Sequence, residues 1–406
     1  MASLLLAVIY LTFISLGLPD SLLGTAWPVI HIDLGAPIAA QSVISIIISC
    51  CTIVSSLLTA RLVHRLGTGR LTALSVALTA GAILGFSAAQ SFWQLCLIAL
   101  PYGLGAGAID SVLNNYVALH YGARHMSWLH CCWGIGASIG PLVMGWALAG
   151  PMSWHGGYIA IGIIQAAITA VLLFSLPLWK TTDPRAVDGD EPSAASSEPA
   201  NSDDTSSPLT NRELLRLPGA IASIGSFGCY CALEGSVGLW IASYLVMVRG
   251  IGTATAASIV AQFYLGITVG RLVSGFIAQW LTSENQIRVG QALIACGLLG
   301  LLALDGTVAA GVSILLMGLG CAPIYPSIVA LTPKRFGSKA SQGLVSLQMA
   351  CAYAGSMLVP PIFGLVAEAG GAALIPVMIA ALFCANTVLA ELAVRKTGGN
   401  AKSAAR

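Results

Sequence analysis

Apolar residues run along this chain in long blocks, broken by charged residues or by clusters of Gly, Pro and Ser. A helix needs about 20 mostly apolar residues to cross the hydrocarbon core of a bilayer. The breaks divide the chain into twelve runs of that kind: 3–29, 39–60, 71–90, 94–119, 126–150, 156–179, 217–247, 254–280, 287–304, 307–331, 341–367 and 371–394. One stretch between them, 180–216, is clearly polar. It carries eight acids and contains the run DGDEPSAASSEPANSDDTSSP. So few apolar residues cannot bury enough surface to offset the entropy of folding, which predicts a disordered linker. The expected architecture is an all-α membrane protein of twelve transmembrane helices in two pseudo-symmetric six-helix bundles. The first bundle covers 1–179, the acidic linker 180–216, and the second bundle, with a short basic tail, 217–406.

Composition supports the bilayer as solvent. Hydrophobic residues make up 57% of the 406 positions and charged residues only 8%, against about 25% charged in a soluble domain. The net charge of +2 points to no nucleic-acid partner. The 45 glycines suit membrane helices, where small residues let backbones approach. The eleven cysteines have no metal-ligand or redox spacing. The pairs Cys50–Cys51 and Cys131–Cys132 lie in apolar runs, where a thiol is a small hydrophobe, so neither a metal nor a cofactor is expected. The first run contains Pro19, Asp20 and Trp27 and is too long for a signal peptide, so it is expected to be the first span. There is no phosphate loop, HExxH or nucleophile elbow. GLGAGA (103–108) lacks the βαβ context of a dinucleotide site. The chain is therefore not expected to be an enzyme or to be driven by ATP.

Orientation follows from Lys and Arg. With an even number of spans, both termini share a side. Sixteen of the eighteen basic residues fall on that side, while Arg249 lies in an opposite loop and Arg271 inside a helix. Both termini and the linker are thus expected in the cytoplasm, with the protein in the plasma membrane. The halves also repeat. GLG at 103–105, Asp110 and YG at 121–122 are matched by GLG at 318–320, Tyr325 and FG at 336–337, at a constant offset of 215 residues. Asp20 precedes Gly24 by four, as Glu234 precedes Gly238. Parallel six-helix repeats describe a two-bundle secondary transporter. They are not expected of a channel or receptor.

Ionisable residues well inside the runs are Asp20, Asp110, His130, Glu234 and Arg271. Charge at membrane depth is costly, so such groups face the bundle interior and mark pathways. Gly103, Gly107, Asp110 and Asn114 share one helical face and suggest a pocket wall; a polar clamp between helices is the other reading. Asp20 follows Pro19, whose ring removes a backbone donor, and Gly24 and Trp27 continue its face. Glu234 occupies the symmetry-related place. Asp20, Asp110 and Glu234 are the candidates for proton coupling. Asp110, Asn114, Asn115, His130, Trp133, Trp27, Gln262, Tyr325 and Gln348 are the candidates for substrate binding. Arg271 is expected in a structural or gating ion pair, with no partner assignable from sequence.

The loop ARLVHRLGTGR (60–70) resembles the major facilitator signature between the second and third helices. Arg65, Gly67 and Arg70 fit its Gly/Asp/Arg/Gly/Arg pattern, and His64 stands where Asp is usual. With Arg61 these residues are expected to gate or brace the fold. Within that superfamily the chain looks like the fucose permease group of sugar/proton symporters. GLPDSLLG (17–24), GAIDSVLNNYV (107–117) and LHCCWGIGASIGP (129–141) are similar to that group's segments of helices 1, 4 and 5. The resemblance implies alternating-access symport of a small polar solute, with a sugar as the leading candidate, by a monomer. A carboxyl in a low-dielectric cavity favours its neutral form, so Asp20 would carry the proton while Asp110, Asn114 and His130 bind hydroxyls. A proton-driven exporter of amphipathic compounds and a sodium-coupled sugar symporter are the rivals. A transporter-like sensor is a further one.

Overall fold

The computed structural model describes residues 2–121, 123–179, 210–278 and 280–403. All of its regular structure is helical. Twelve helical segments among the described residues are long and apolar enough to span a bilayer. A lipid-embedded backbone has no water to bond, so each segment must close its own hydrogen bonds, and the helix does so.

The helices of the first half are α1 (Ala2–Asp20), α2 (Leu22–Asp33), α3 (Gln41–Leu66), α4 (Thr68–Ser87), α5 (Phe92–His120), α6 (Ala123–Leu148) and α7 (Ser153–Trp179). In the second half come α8 (Asn211–Arg216), α9 (Ala220–Met247), α10 (Thr253–Ile277), α11 (Ser283–Ala303), α12 (Thr307–Cys321), α13 (Ile324–Gly370) and α14 (Ile375–Ser403). The first span is two helices, α1 and α2, meeting at Ser21, and it runs on to Asp33 rather than ending near residue 29. The tenth span, Thr307–Gly337, likewise joins α12 to the start of α13. Gly337 (φ 78°, ψ 165°) then turns the chain into the eleventh span. That positive φ is one a glycine adopts without steric cost.

Most of the expected linker, 180–209, lies outside the described residues. Its last part, beyond the run expected to be disordered, is ordered. Thr210 caps α8 with a reciprocal pair of bonds: the Glu213 N–H donates to Thr210 Oγ1 (3.4 Å), and the Thr210 N–H donates to Glu213 Oε2 (2.8 Å). The Thr210 N–H and hydroxyl, both donating to Glu213 Oε2 at 2.8 Å, hold the Glu213 carboxyl below its ordinary range. Leu214 is buried with Ala220, Ala340 and Leu344 and sits against Gly343, where a Cβ would come 2.5 Å from its Cδ1. α8 is thus a foot that docks on α13.

The halves meet along α6 against α10, α2 against α9, and the start of α3 against α13. The last two contacts lie at the end remote from the linker and are close. A Cβ on Gly24 would come 2.6 Å from the Gly238 carbonyl oxygen. Gln41 Nε2 donates to Leu239 O (3.1 Å), and the Ala39 N–H donates to Glu368 Oε2 (3.3 Å). The remote end is sealed by backbone-to-backbone contact between the halves.

Candidate functional site

Two prolines prepare the centre of the first half. Pro19 has no N–H, so it leaves the Ser15 carbonyl without its helical partner. Gln165 Nε2 of α7 donates to that oxygen at 2.8 Å. Pro141 frees the Ala137 carbonyl in the same way, and Ser21 Oγ donates to it at 3.2 Å. Glycines bring the same helices into backbone contact: a Cβ on Gly17 would lie 2.1 Å from Trp133 O, and one on Gly136 2.1 Å from Ile14 O. α1, α6 and α7 are therefore fixed together at the break in the first span.

Asp20, the last residue of α1, sits at that break. Trp133 Nε1 donates to its Oδ2 at 2.7 Å, and the Tyr102 hydroxyl donates to Oδ1 at 3.2 Å. On α5, Asn114 Nδ2 donates to both Asp110 O (3.0 Å) and Asp110 Oδ1 (2.9 Å). The amide is thus turned onto its own acid. Gly103 and Gly107, on the same face, are occupied by the backbone of α3 at Ile48 and Thr52.

Across the interface, Arg271 of α10 meets Glu234 of α9 with Nη2 3.6 Å from Oε1. The Tyr230 hydroxyl bonds to Glu234 Oε2 and also to the Cys321 carbonyl (2.9 Å). Arg271 Cζ stands 5.7 Å from the centroid of the Trp133 ring.

Of these groups, Asp110, Trp133 and Arg271 border a cavity of about 670 Å³ between the halves, within the range of about 300–1,000 Å³ typical of small-molecule sites. Phe13, Asp110, His130, Trp133, Arg271 and Tyr325 form its inner wall. Ser274, Ser283 and Gln286 line it at the ends of α10 and α11 nearest the linker, and Ser327 lines it two residues on from Tyr325. The cavity opens to the linker side, opposite the seal at Gly24 and Gly238. His130 meets Phe13 edge-on at 6.0 Å, and the Tyr325 hydroxyl contacts Met349 Sδ at 3.3 Å.

A matching family model, described as the Major Facilitator Superfamily, covers residues 9–317. The chain belongs to the Major Facilitator Superfamily. Similar proteins include Bypass of stop codon protein 6 of Saccharomyces cerevisiae, 24% identical over 319 residues, or 72% of this chain. The chain spans 62% of that relative's length. Among solved structures, the nucleoside transporter NupG, as a mutant, matches with a TM-score of 0.68 at 14% identity, covering 96% of this chain and 98% of that one. A bacterial homologue of the human lysosomal transporter Spinster, inward-facing and unoccupied, matches with a TM-score of 0.68 at 13% identity, covering 97% and 94%. These last two similarities establish the fold.

Other candidates of this major facilitator chain lie away from the cavity wall. Trp27 is fully buried, with Nε1 donating to Ile38 O (2.8 Å). Gln348 is buried between Thr332, which donates to its Oε1, and Ser223, which accepts from its Nε2, both at 3.0 Å. Gln262 packs against Gly311, where a Cβ would come 2.8 Å from its Oε1. Asn115 is exposed, as are Arg61, Arg65 and Arg70 on the linker side. Gly67 makes the turn between α3 and α4 at φ 79°. Sequence reasoning missed Tyr102, Tyr230 and Gln286. Only Tyr230 had a local signal, its four-residue spacing from Glu234 on one helical face.

The Arg271–Glu234 pair gives a stability prediction. The pair is half-buried, with Arg271 at the cavity wall, so removing one partner costs less than the about 3–5 kcal/mol of a fully buried pair, whereas an apolar pair of similar volume is near neutral. Arg271→Ala is expected to lower the thermal midpoint in detergent, and Arg271→Met with Glu234→Leu to recover most of the loss. Equal losses in both variants would show that packing, not pairing, matters there.

Proposed function

We propose that this major facilitator protein moves a small polar solute, with a sugar as the leading candidate, by proton-coupled symport with alternating access. This is the activity implied by its resemblance to the fucose permease group. In this reading Asp20 carries the proton, and Asp110 and His130 meet solute hydroxyls at the cavity wall. Asn114 holds Asp110 in place rather than touching the solute. The two six-helix bundles, 1–179 and 217–406, rock about the cavity as a monomer, with 180–216 as the tether. Both termini face the cytoplasm of a plasma-membrane protein, so the open cavity is the inward-facing state.

The observation that carries the reading is the placement of two carboxylates at a cavity between the halves: Asp110 in its wall, and Asp20 bonded to the wall residue Trp133. Acids at membrane depth reached by alternating openings can load a proton on one side and release it on the other.

The test is the pH of the medium around right-side-out vesicles as fucose, galactose, glucose and related hexoses are added in turn. Alkalinisation with one sugar is the expected result. Uptake that follows sodium instead, with no pH change, would assign the acids to sodium binding. Acid-driven export of amphipathic dyes, with no sugar response, would replace symport by efflux.

A further inference from the structure

We infer that Trp133 is a positioning residue that ties the Asp20 of one half to the Arg271–Glu234 pair of the other. The inference rests on the reading of Asp20 as the proton site. Trp133 presents two different surfaces to two different charges. Its indole N–H donates to Asp20 Oδ2 at 2.7 Å. Its ring face lies under Arg271, with Cζ 5.7 Å from the centroid. Arg271 in turn stands 3.6 Å from Glu234, longer than the roughly 2.7–2.9 Å of a strong charge-assisted bond. The guanidinium is therefore shared between a loose ion pair and an aromatic face, which attracts it electrostatically. Tyr264 of α10 meets the same ring edge-on at 6.2 Å. Trp133 sits on α6, which runs against α10 along the interface between the halves.

The consequence follows from the strength of the first bond. An N–H bond to a carboxylate is about twice as strong as one to a neutral acceptor. Protonating Asp20 weakens the tether and frees the ring, and Arg271 then closes on Glu234. Deprotonation restores the tether and draws the ring between the two charges. The protonation state of the first half is thereby felt as a change of partner in the second. The other groups able to act on Asp20 are Tyr102 and Asp110 of α5 and Tyr264 of α10, with Tyr158 of α7 acting on Tyr102. Of these, Tyr264 also meets the Trp133 ring, whereas the Trp133 indole N–H itself bonds Asp20 while its ring face lies against Arg271.

The experiment compares wild type, Trp133→Phe, Asp20→Asn and Tyr102→Phe in two assays across pH. The first is tryptophan fluorescence of purified protein without solute. The second is the pH profile of solute exchange in vesicles. The expected result is a pH-dependent fluorescence change in wild type and Tyr102→Phe that is lost in Trp133→Phe and Asp20→Asn. Whatever exchange Trp133→Phe retains should no longer vary with pH, whereas that of Tyr102→Phe should. A wild-type pH profile in Trp133→Phe would overturn the inference, even where symport itself stands. Conversely, a fluorescence change that depends on both residues, with no sugar-linked proton movement in wild type, would uphold the bridge and sink the symport reading. If Trp133→Phe does not fold, the fluorescence response of Asp20→Asn decides, and a wild-type response there would overturn the inference.

Discussion

Asp20→Asn abolishes concentrative uptake while exchange of solute down its gradient persists. The amide keeps the size of the acid and can still accept a hydrogen bond from Trp133 or Tyr102, which hold the carboxylate at 2.7 and 3.2 Å. Local geometry should therefore survive, and only the ability to change charge is lost. The expected effect is large because the driving force is large. Moving one charge through about 100 mV supplies about 2.3 kcal/mol, or roughly fifty-fold accumulation at about 1.4 kcal/mol per tenfold. The measurement is the steady-state ratio of labelled sugar inside to outside in energised vesicles, beside counterflow in de-energised ones. A ratio near one with counterflow intact assigns proton carriage to Asp20. A ratio still well above one would move that role to Asp110 or Glu234.

Much of this molecule was legible because the bilayer imposes one demand, twelve apolar runs of spanning length, and the sequence meets it openly. The central charges were legible for a related reason: a charge at membrane depth stands out against apolar neighbours. What the sequence did not disclose is how helices distant in the chain share those charges. The Arg271–Glu234 pair joins α10 to α9, and the Asp20–Trp133 bond joins α1 to α6. No spacing rule encodes either contact, since each depends on where glycines let backbones touch. Trp27 and Gln348 resembled cavity residues because both are polar-tipped and lie on spans, yet each is turned inward to satisfy a neighbour. The foot α8 was different. Thr210 and Glu213 carry the capping-box spacing openly, but the acidic composition around them suggested disorder.

The seal at the remote end carries the second large effect. Gly24 and Gly238 let α2 and α9 touch, and a Cβ at Gly24 would come 2.6 Å from Gly238 O and 3.0 Å from Leu239 Cα. Backbone atoms cannot step aside as a flexible side chain can. A leucine at Gly24 is therefore expected to bar the conformation that is open on the linker side. Overpacking of this kind typically costs about 1–3 kcal/mol when the surroundings relax, and rigid backbone on both sides puts the cost at the top of that range. About 3 kcal/mol shifts a conformational equilibrium by more than a hundredfold, so transport should all but stop. If alternating access moves this contact, the protein will settle in the state closed toward the linker. Cys131 lines the cavity, and its labelling by a membrane-impermeant thiol reagent from the linker side reports that closure, with Cys131→Ser marking the background of the other cysteines. Protection of Cys131 in Gly24→Leu, with the thermal midpoint near that of the parent, identifies the Gly24–Gly238 contact as a gate. Unchanged labelling with a lowered midpoint identifies it instead as fixed packing, and the moving seam between the halves must then lie along α3 and α13.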